Sequence, residues 1–127
     1  MKAAHYGLAF ANTGRATQPE YAIRFAQAAE SAGFASLWTV EHVIWPAEYS
    51  SAYPYHPSGK MAGDPSTPLP DPLVWLSWVG AATTTIRLAT GILLLPEPQP
   101  LVVAKEAATL DALSGGERQR VFIARAL

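Results

Sequence analysis

Strand and helix signals alternate along most of this chain, and this alternation restricts the fold more than any other feature of the sequence. The candidate strands are apolar runs, at about His5–Ala11, Ser36–Glu41 and Ile86–Leu95. Each run is followed by a helical pattern, and these patterns begin near Pro19, Pro72 and Pro100. Three successive β/α units predict an α/β protein with a parallel sheet and helical crossovers.

The helix boundaries have recognisable sequence signals. Thr17 and Glu20 have the spacing of a capping box, with Pro19 in the first turn, and Gly33 is a candidate C-terminal cap. Asp71 precedes the second helix as an N-cap, and this helix is expected to run to about residue 84. The buried face of the first helix is expected to contain residues that recur every three or four positions: Ala22, Phe25, Ala26, Ala29 and Ala32.

The composition excludes several classes of protein. A net charge of −1 with 15% charged residues gives no basic surface for nucleic acid. The absence of cysteine excludes disulfides and thiolate zinc sites, and the three histidines are too scattered to form a metal site. No run reaches the ~18 apolar residues of a membrane span, and the apolar run at the amino terminus is too short for us to expect a secretory signal. We therefore expect a soluble cytoplasmic protein without a nucleic-acid, membrane or metal partner.

Three β/α units are typical of the first part of a (β/α)₈ barrel, in which chemistry collects at the carboxyl ends of the strands. The candidate residues at these ends are Asn12, Glu41, His42, Thr90 and Gly91. A carboxylate beside an imidazole can tune proton transfer near neutral pH. Adjacent strand residues point to opposite faces, however, so Glu41 and His42 need not touch. His42 is therefore either a site residue or an ordinary polar residue at a strand end.

A long segment from Val43 to Pro70 separates the second strand from the second helix. It contains six prolines, two glycines and four tyrosine or tryptophan rings. Such a composition resists regular structure but offers large apolar surfaces. The segment is either a functional loop or a poorly ordered one.

Several segments, taken in order, resemble the luciferase-like monooxygenase family, and the F420-dependent branch is the most similar. The resemblance covers residues 5–116. The segments that carry it are Ser36–Pro46, Tyr53–Tyr55, Ser58–Lys60, Asp71–Leu73, Ile86–Ile92 and Ala104–Asp111.

This resemblance implies a TIM-like barrel that binds coenzyme F420, or alternatively FMN, at the carboxyl ends of its strands. The implied chemistry is hydride transfer or monooxygenation of a small organic substrate. The implied catalytic residues are Glu41 and His42, and the cofactor-binding residues are His42, Trp45, Thr90, Gly91 and Asn12. His42 would lie near the reactive part of the ring, and Thr90 and Gly91 would support its back. The structural alternatives are that Trp45 packs under the long segment and that Gly91 relieves crowding in a buried strand.

The last residues resemble a different family. Leu113–Leu127 is similar to the signature segment of ABC-transporter ATPases. Ser114 to Glu117 has the spacing of a capping box, and no glycine or proline follows it, so a short C-terminal helix is predicted. The chain contains no phosphate-binding loop of the form G-x-x-x-x-G-K-[ST], so no ATPase activity is expected. We therefore divide the chain into a partial barrel domain, residues 1–116, and a helical tail, residues 117–127.

The chain contains only about three of the eight units of a complete barrel. We therefore expect a truncated or chimeric member of the oxidoreductase family. The alternative is a non-catalytic half-barrel that forms a homo-oligomer through the open edges of its sheet. A third interpretation, less favoured, is an accessory segment of an ABC ATPase.

Overall fold

Among the described residues, four parallel strands form a central sheet, and they are hydrogen-bonded to one another in the order in which they occur in the chain. The computed structural model describes residues 4–61, 63–94, 99–115 and 121–123. The elements are β1 (Gly7–Leu8), a short 3₁₀ helix (Gly14–Thr17), α1 (Pro19–Ser31), β2 (Ser36–Thr39), α2 (Pro72–Gly80), β3 (Arg87–Thr90), α3 (Pro100–Leu113) and β4 (Val121–Ile123). This order of parallel strands and connecting helices confirms the predicted α/β fold as part of a barrel.

The core lies between the sheet and the helices. Leu37 of β2 pairs with Leu88 of β3, and both side chains are fully buried. They pack in one cluster with helix residues such as Ala26 and Leu76. Side chains alternate between the two faces along a strand. Thr39 and Thr90, two positions from these leucines, therefore share the helix-facing side of the sheet. Ser36 and Trp38 lie on the other face and are half-buried.

The start of α1 differs in detail from the prediction. Pro19 occupies the first turn as expected, but Gln18 is the N-cap residue and makes no side-chain capping bond. The predicted capping box is wrong, because the Thr17 hydroxyl instead donates to the Gly14 carbonyl oxygen at 2.9 Å within the 3₁₀ helix. Gly33 follows α1 with φ 84°, so the prediction of a glycine cap is confirmed.

The second helix begins as predicted. The Asp71 side chain accepts a hydrogen bond from the Val74 amide at 2.9 Å, which satisfies one of the free N–H groups of the first turn. The helix ends at Gly80, four residues earlier than expected. The indole of Trp75 donates to the Ala16 carbonyl at 2.7 Å and so fixes α2 against the segment between β1 and α1.

Glu30 connects the end of α1 to the segment that leads into β3. Its carboxylate accepts hydrogen bonds from the amides of Thr84, Thr85 and Ile86 and from the Thr85 hydroxyl. Burial pushes the pKa of Glu30 upward, but the hydrogen bonds from the amides of Thr85, Ile86 and Thr84 and from the Thr85 hydroxyl outweigh it and hold the pKa below its ordinary value.

The strands are shorter than the apolar runs that predict them. The first run continues past β1, but Phe10 has φ 57°, which breaks the extended conformation. The Ala11 amide then donates to the Trp38 carbonyl at 2.9 Å, so β1 rejoins β2 after the irregular residue. The predicted end of the third strand, with residues 95–98, lies outside the described residues.

The predicted C-terminal helix is wrong where the structure describes it. Residues Val121–Ile123 form β4, which pairs in parallel with Leu88–Thr90 of β3. Valine, phenylalanine and isoleucine favour strands, and the open edge of β3 offers unpaired backbone groups that a strand satisfies. Residues 116–120 and 124–127 of the predicted helix lie outside the described residues.

Candidate functional site

The carboxyl ends of the first three strands border an open cleft of about 410 Å³. Side chains from these strand ends and from the segment after β2 line it, among them Phe10, Val40, Glu41, His42, Trp45 and Ile92. The rest of the wall comes from the middle of that segment, with Tyr53, Tyr55, His56, Met61 and Leu69. The fold therefore places the cleft where barrel chemistry is expected.

His42 and Trp45 lie together in this cleft. Their ring centroids are 6.1 Å apart, with an angle of 43° between the ring planes. His42 is exposed, while Trp45 is half-buried and packs closely against Gly63. A Cβ atom on Gly63 would lie 2.8 Å from the Trp45 ring, so the absence of a side chain there lets the indole occupy its position.

Glu41 borders the same cleft but is largely buried, with 8% of its surface exposed. Its Oε2 accepts a hydrogen bond from the Leu94 amide at 2.6 Å. This bond joins the end of β2 to the segment that follows β3. The carboxylate of Glu41, the residue before His42, therefore holds the backbone at Leu94 on one side of the cleft.

Asn12 is fully buried and bonded to backbone on two sides. Its Nδ2 donates to the Val40 and Pro70 carbonyls at 2.8 and 3.1 Å, and its Oδ1 accepts from the Val40 amide at 2.9 Å. It is not among the residues that line the cleft. Its side chain instead fixes the two ends of the long segment that forms the cleft wall.

Thr90 and Gly91 lie at the end of β3, behind the residues that line the cleft. The Thr90 side chain is fully buried on the helix-facing side of the sheet, and its hydroxyl oxygen has no hydrogen-bond partner among the described residues. The Gly91 amide donates to the Thr39 carbonyl at 2.8 Å, and a Cβ on Gly91 would lie 3.1 Å from that oxygen. Ile92, the next residue, is the one that reaches the cleft.

No sequence pattern predicts that Phe10 lines the cleft, because the backbone angle that directs its ring depends on contacts with β2. The composition of the long segment indicates its aromatic residues only as a group. Tyr53 and Tyr55 are in edge-to-face contact, with ring centroids 5.5 Å apart. His56 is the second imidazole of the cleft, and its Nδ1 lies 2.7 Å from the Ser58 hydroxyl oxygen.

The long segment has an ordered turn at its centre. Lys60 Nζ donates to the Tyr49 carbonyl and lies 4.1 Å from the centroid of the Tyr49 ring. The Tyr49 hydroxyl accepts from the Met61 amide at 2.6 Å, and the Tyr53 amide donates to the Gly59 carbonyl at 2.7 Å. These bonds close the turn and so favour the first of the two sequence interpretations, an ordered functional loop.

The cleft fits the ring of a flavin or deazaflavin better than the rest of such a cofactor. Its aromatic and aliphatic side chains suit a planar ring, and the polar groups among them include the Glu41 carboxylate and the imidazoles of His42 and His56. Among the described residues that line it, none is lysine or arginine. The described lining therefore suits a planar ring and offers no cationic side chain for a phosphate tail.

No helix among the described residues is long and apolar enough to cross a membrane. In that same part of the chain, no group of three or more His, Asp or Glu side chains is placed to hold a metal ion.

Comparison with known families gives a match over almost the whole chain. The family described as luciferase-like monooxygenase matches residues 4–125. The match continues through most of the segment that resembles the ABC signature, so the ABC interpretation is not supported. Among curated proteins, the uncharacterized protein Rv0953c of Mycobacterium tuberculosis strain H37Rv is 38% identical over 112 residues. This alignment covers 88% of the chain and 39% of the relative, so the chain spans well under half of that protein's length.

Solved structures give the same result. The monooxygenase RslO1 from Streptomyces bottropensis is 32% identical, with a TM-score of 0.63, over 94% of this chain and 32% of that one. The coenzyme F420-dependent tetrahydromethanopterin reductase from Methanopyrus kandleri is 23% identical, with a TM-score of 0.60, over 92% and 26%. The oxygenating constituent of 3,6-diketocamphane monooxygenase from Pseudomonas putida, in complex with FMN, is 21% identical, with a TM-score of 0.62, over 98% and 30%. The last two likenesses concern the fold.

Proposed function

Because this chain belongs to the luciferase-like monooxygenase family, we propose that it binds the ring of coenzyme F420, or alternatively FMN, and acts in hydride transfer or monooxygenation of a small organic substrate. The observation that carries this proposal is the pairing of His42 and Trp45 in a cleft at the carboxyl ends of the strands. The cofactor ring would lie against Trp45, with His42 at its edge.

Two of the structural neighbours support this choice of cofactors. One is named as F420-dependent and another is in complex with FMN. Either ring is planar and fits between aromatic walls. The absence of lysine and arginine among the described lining residues does not favour one phosphate tail over the other.

His42 is the proposed catalytic residue. When bound, the cofactor ring would accept or supply a hydride. Oxidation of an organic substrate releases a hydride and a proton, and the exposed imidazole of His42 is placed to accept that proton. Glu41 borders the same cleft and holds the segment after β3 through Leu94, so we assign it chiefly to positioning. Asn12, Thr90 and Gly91 support the cleft from behind.

Binding titrations with variants test this proposal. F420 and FMN are titrated separately into the purified chain and followed by cofactor fluorescence. His42→Ala should weaken binding by about tenfold or more, which is the loss of about 1.4 kcal/mol. His5→Ala is the matched control, because His5 is also exposed but does not line the cleft. Equal affinities for both variants and the wild type would count against the assigned site.

Self-association is a second candidate function, and a separate surface favours it. A groove of about 740 Å³ lies between α2 and α3 and is lined largely by apolar side chains. Val74, Leu101 and Leu113 are 69%, 82% and 80% exposed there, which is unusual for clustered apolar residues. We expect a homodimer through this groove or through the outer strands. Light scattering would detect it, and Leu101→Glu should convert a groove-mediated dimer to a monomer.

A further inference from the structure

Phe10 borders two neighbouring cavities. One is the cleft that contains His42, and the other has a volume of about 280 Å³. Phe10 and Trp45 line both of them. Thr13 and Leu69 also line both, whereas Gly14, Gly63, Thr67 and Pro68 line only the second cavity, and none of the described residues that line it carries a charge. Phe10 therefore lies where the cleft that contains His42 meets a smaller, uncharged cavity.

The backbone of Phe10 is held in a conformation that side-chain-bearing residues rarely adopt. Its φ of 57° is the only positive value at a non-glycine residue in the described part of the chain. Hydrogen bonds on both sides impose it: the Ala11 amide donates to the Trp38 carbonyl at 2.9 Å, and the Thr13 hydroxyl donates to the Phe10 carbonyl at 2.7 Å. The ring nevertheless stays 64% exposed. Strain that directs an apolar ring away from the core is typical of functional positions.

We propose that Phe10 is a specificity-determining residue, whose ring limits the second cavity to the compact, uncharged part of the organic substrate. This inference rests on the proposed oxidoreductase function, because it places the substrate beside the cofactor cleft. The cavity lies just below the ~300 Å³ at which ligand pockets usually begin, so it suits a small molecule. Burial of a charged group there would be unfavourable, because no charged partner lines it.

Two probes of similar size and different charge test the chemistry of the cavity. We would titrate 4-methylcyclohexanone and 4-oxocyclohexanecarboxylate into the chain and follow amide chemical shifts by NMR. The neutral ketone should bind about tenfold or more tightly than the carboxylate and shift the amides of Gly14, Gly63 and Thr67, which line only this cavity. Equal binding of the two probes, or shifts elsewhere, would overturn the proposal.

Variants at two positions test the wall itself. Phe10→Ala should join the cavities and raise the affinity for the bulkier neutral ketone 2-decalone about tenfold, with little change for 4-methylcyclohexanone. Phe10→Gly removes the same ring and suits the positive φ, so it provides the test if the alanine variant does not fold. Gly63→Ala, whose Cβ would lie 2.8 Å from the Trp45 ring, should weaken 4-methylcyclohexanone binding. Unchanged 2-decalone affinity in the folded Phe10 variants would contradict the proposal.

The same samples separate this inference from the proposed function. Cofactor binding is measured on each variant with F420 and FMN. If the chain binds neither cofactor but still selects the neutral probe, the proposed function fails and the cavity assignment stands as a binding property. If a cofactor binds while both probes bind equally, only the assignment of Phe10 and its cavity is overturned.

Discussion

The side-chain amide of Asn12 makes two hydrogen bonds with the backbone of Val40, as the backbone of a neighbouring strand would. Asn12 Oδ1 accepts from the Val40 amide at 2.9 Å, and Asn12 Nδ2 donates to the Val40 carbonyl at 2.8 Å. A third bond, from Nδ2 to the Pro70 carbonyl, closes the far end of the long segment. One buried side chain therefore fixes both the entry and the exit of the cleft wall.

Replacement of Asn12 should disturb the cleft wall more than its small size suggests. Asn12→Ala removes three hydrogen bonds and leaves buried backbone groups unpaired, so we expect a loss of about 2–4 kcal/mol in the free energy of unfolding. Asn12→Asp keeps the shape but replaces the donor by an acceptor that faces two carbonyls, and should be at least as destabilising at neutral pH. Urea unfolding measures both. A loss below about 0.5 kcal/mol in both variants would contradict this role.

Glu30 predicts a stability that depends on pH. Its pKa is lowered from 4.5 in the folded chain, so the charged form is favoured by folding. Its contribution is therefore fully present above that value and is lost as the pH falls through the lowered folded pKa. Glu30→Gln should reduce stability at pH 7, and the gap to the wild type should narrow as the pH falls from 5 to 3. Glu106→Gln, at an exposed position on α3, is the control. A gap that does not change with pH would be contrary to this explanation.

Glu41 allows a hydrogen-bond role to be separated from a role of its charge. Glu41→Gln keeps an oxygen that can accept from the Leu94 amide, whereas Glu41→Ala removes it. We expect Glu41→Gln to stay within about 1 kcal/mol of the wild type and Glu41→Ala to lose about 1–3 kcal/mol. Thermal unfolding compares them. If Glu41→Gln binds the cofactor normally but loses turnover, the charge of Glu41 takes part in the reaction, and positioning alone does not describe its role.

The strain at Phe10 predicts a reversal of the usual effect of glycine. Glycine normally destabilises a chain relative to alanine, because the unfolded state gains freedom. At φ 57°, the left-handed conformation costs a side-chain-bearing residue about 1–2 kcal/mol. Phe10→Gly should therefore be as stable as Phe10→Ala or up to about 1 kcal/mol more stable. A clearly less stable glycine variant would mean that the backbone is not strained there.

Local signals in the sequence predict most of the framework. Pro19, Asp71 and Gly33 mark helix ends by short-range chemistry, and the structure uses all three in that way. His42 and Trp45 are three positions apart after a strand, so their meeting in one cleft also follows from local geometry.

Features that depend on distant partners could not be predicted. Asn12 is bonded to residues 28 and 58 positions away, so its structural use is not visible in its neighbours. The φ of Phe10 results from the bond between Ala11 and Trp38 across the sheet. The tail has a helix-start pattern, yet Val121–Ile123 pairs with β3, because strand preference depends on an available edge.

An amide NMR titration of the wild-type chain with F420 and with FMN shows both whether a cofactor binds and where it binds. We expect saturable shift changes concentrated at residues 10–13, 40–45 and 91–94, with little effect on the α2–α3 groove. Saturation with changes centred on that groove, or a folded chain that shows no changes with either cofactor, would contradict the proposed function.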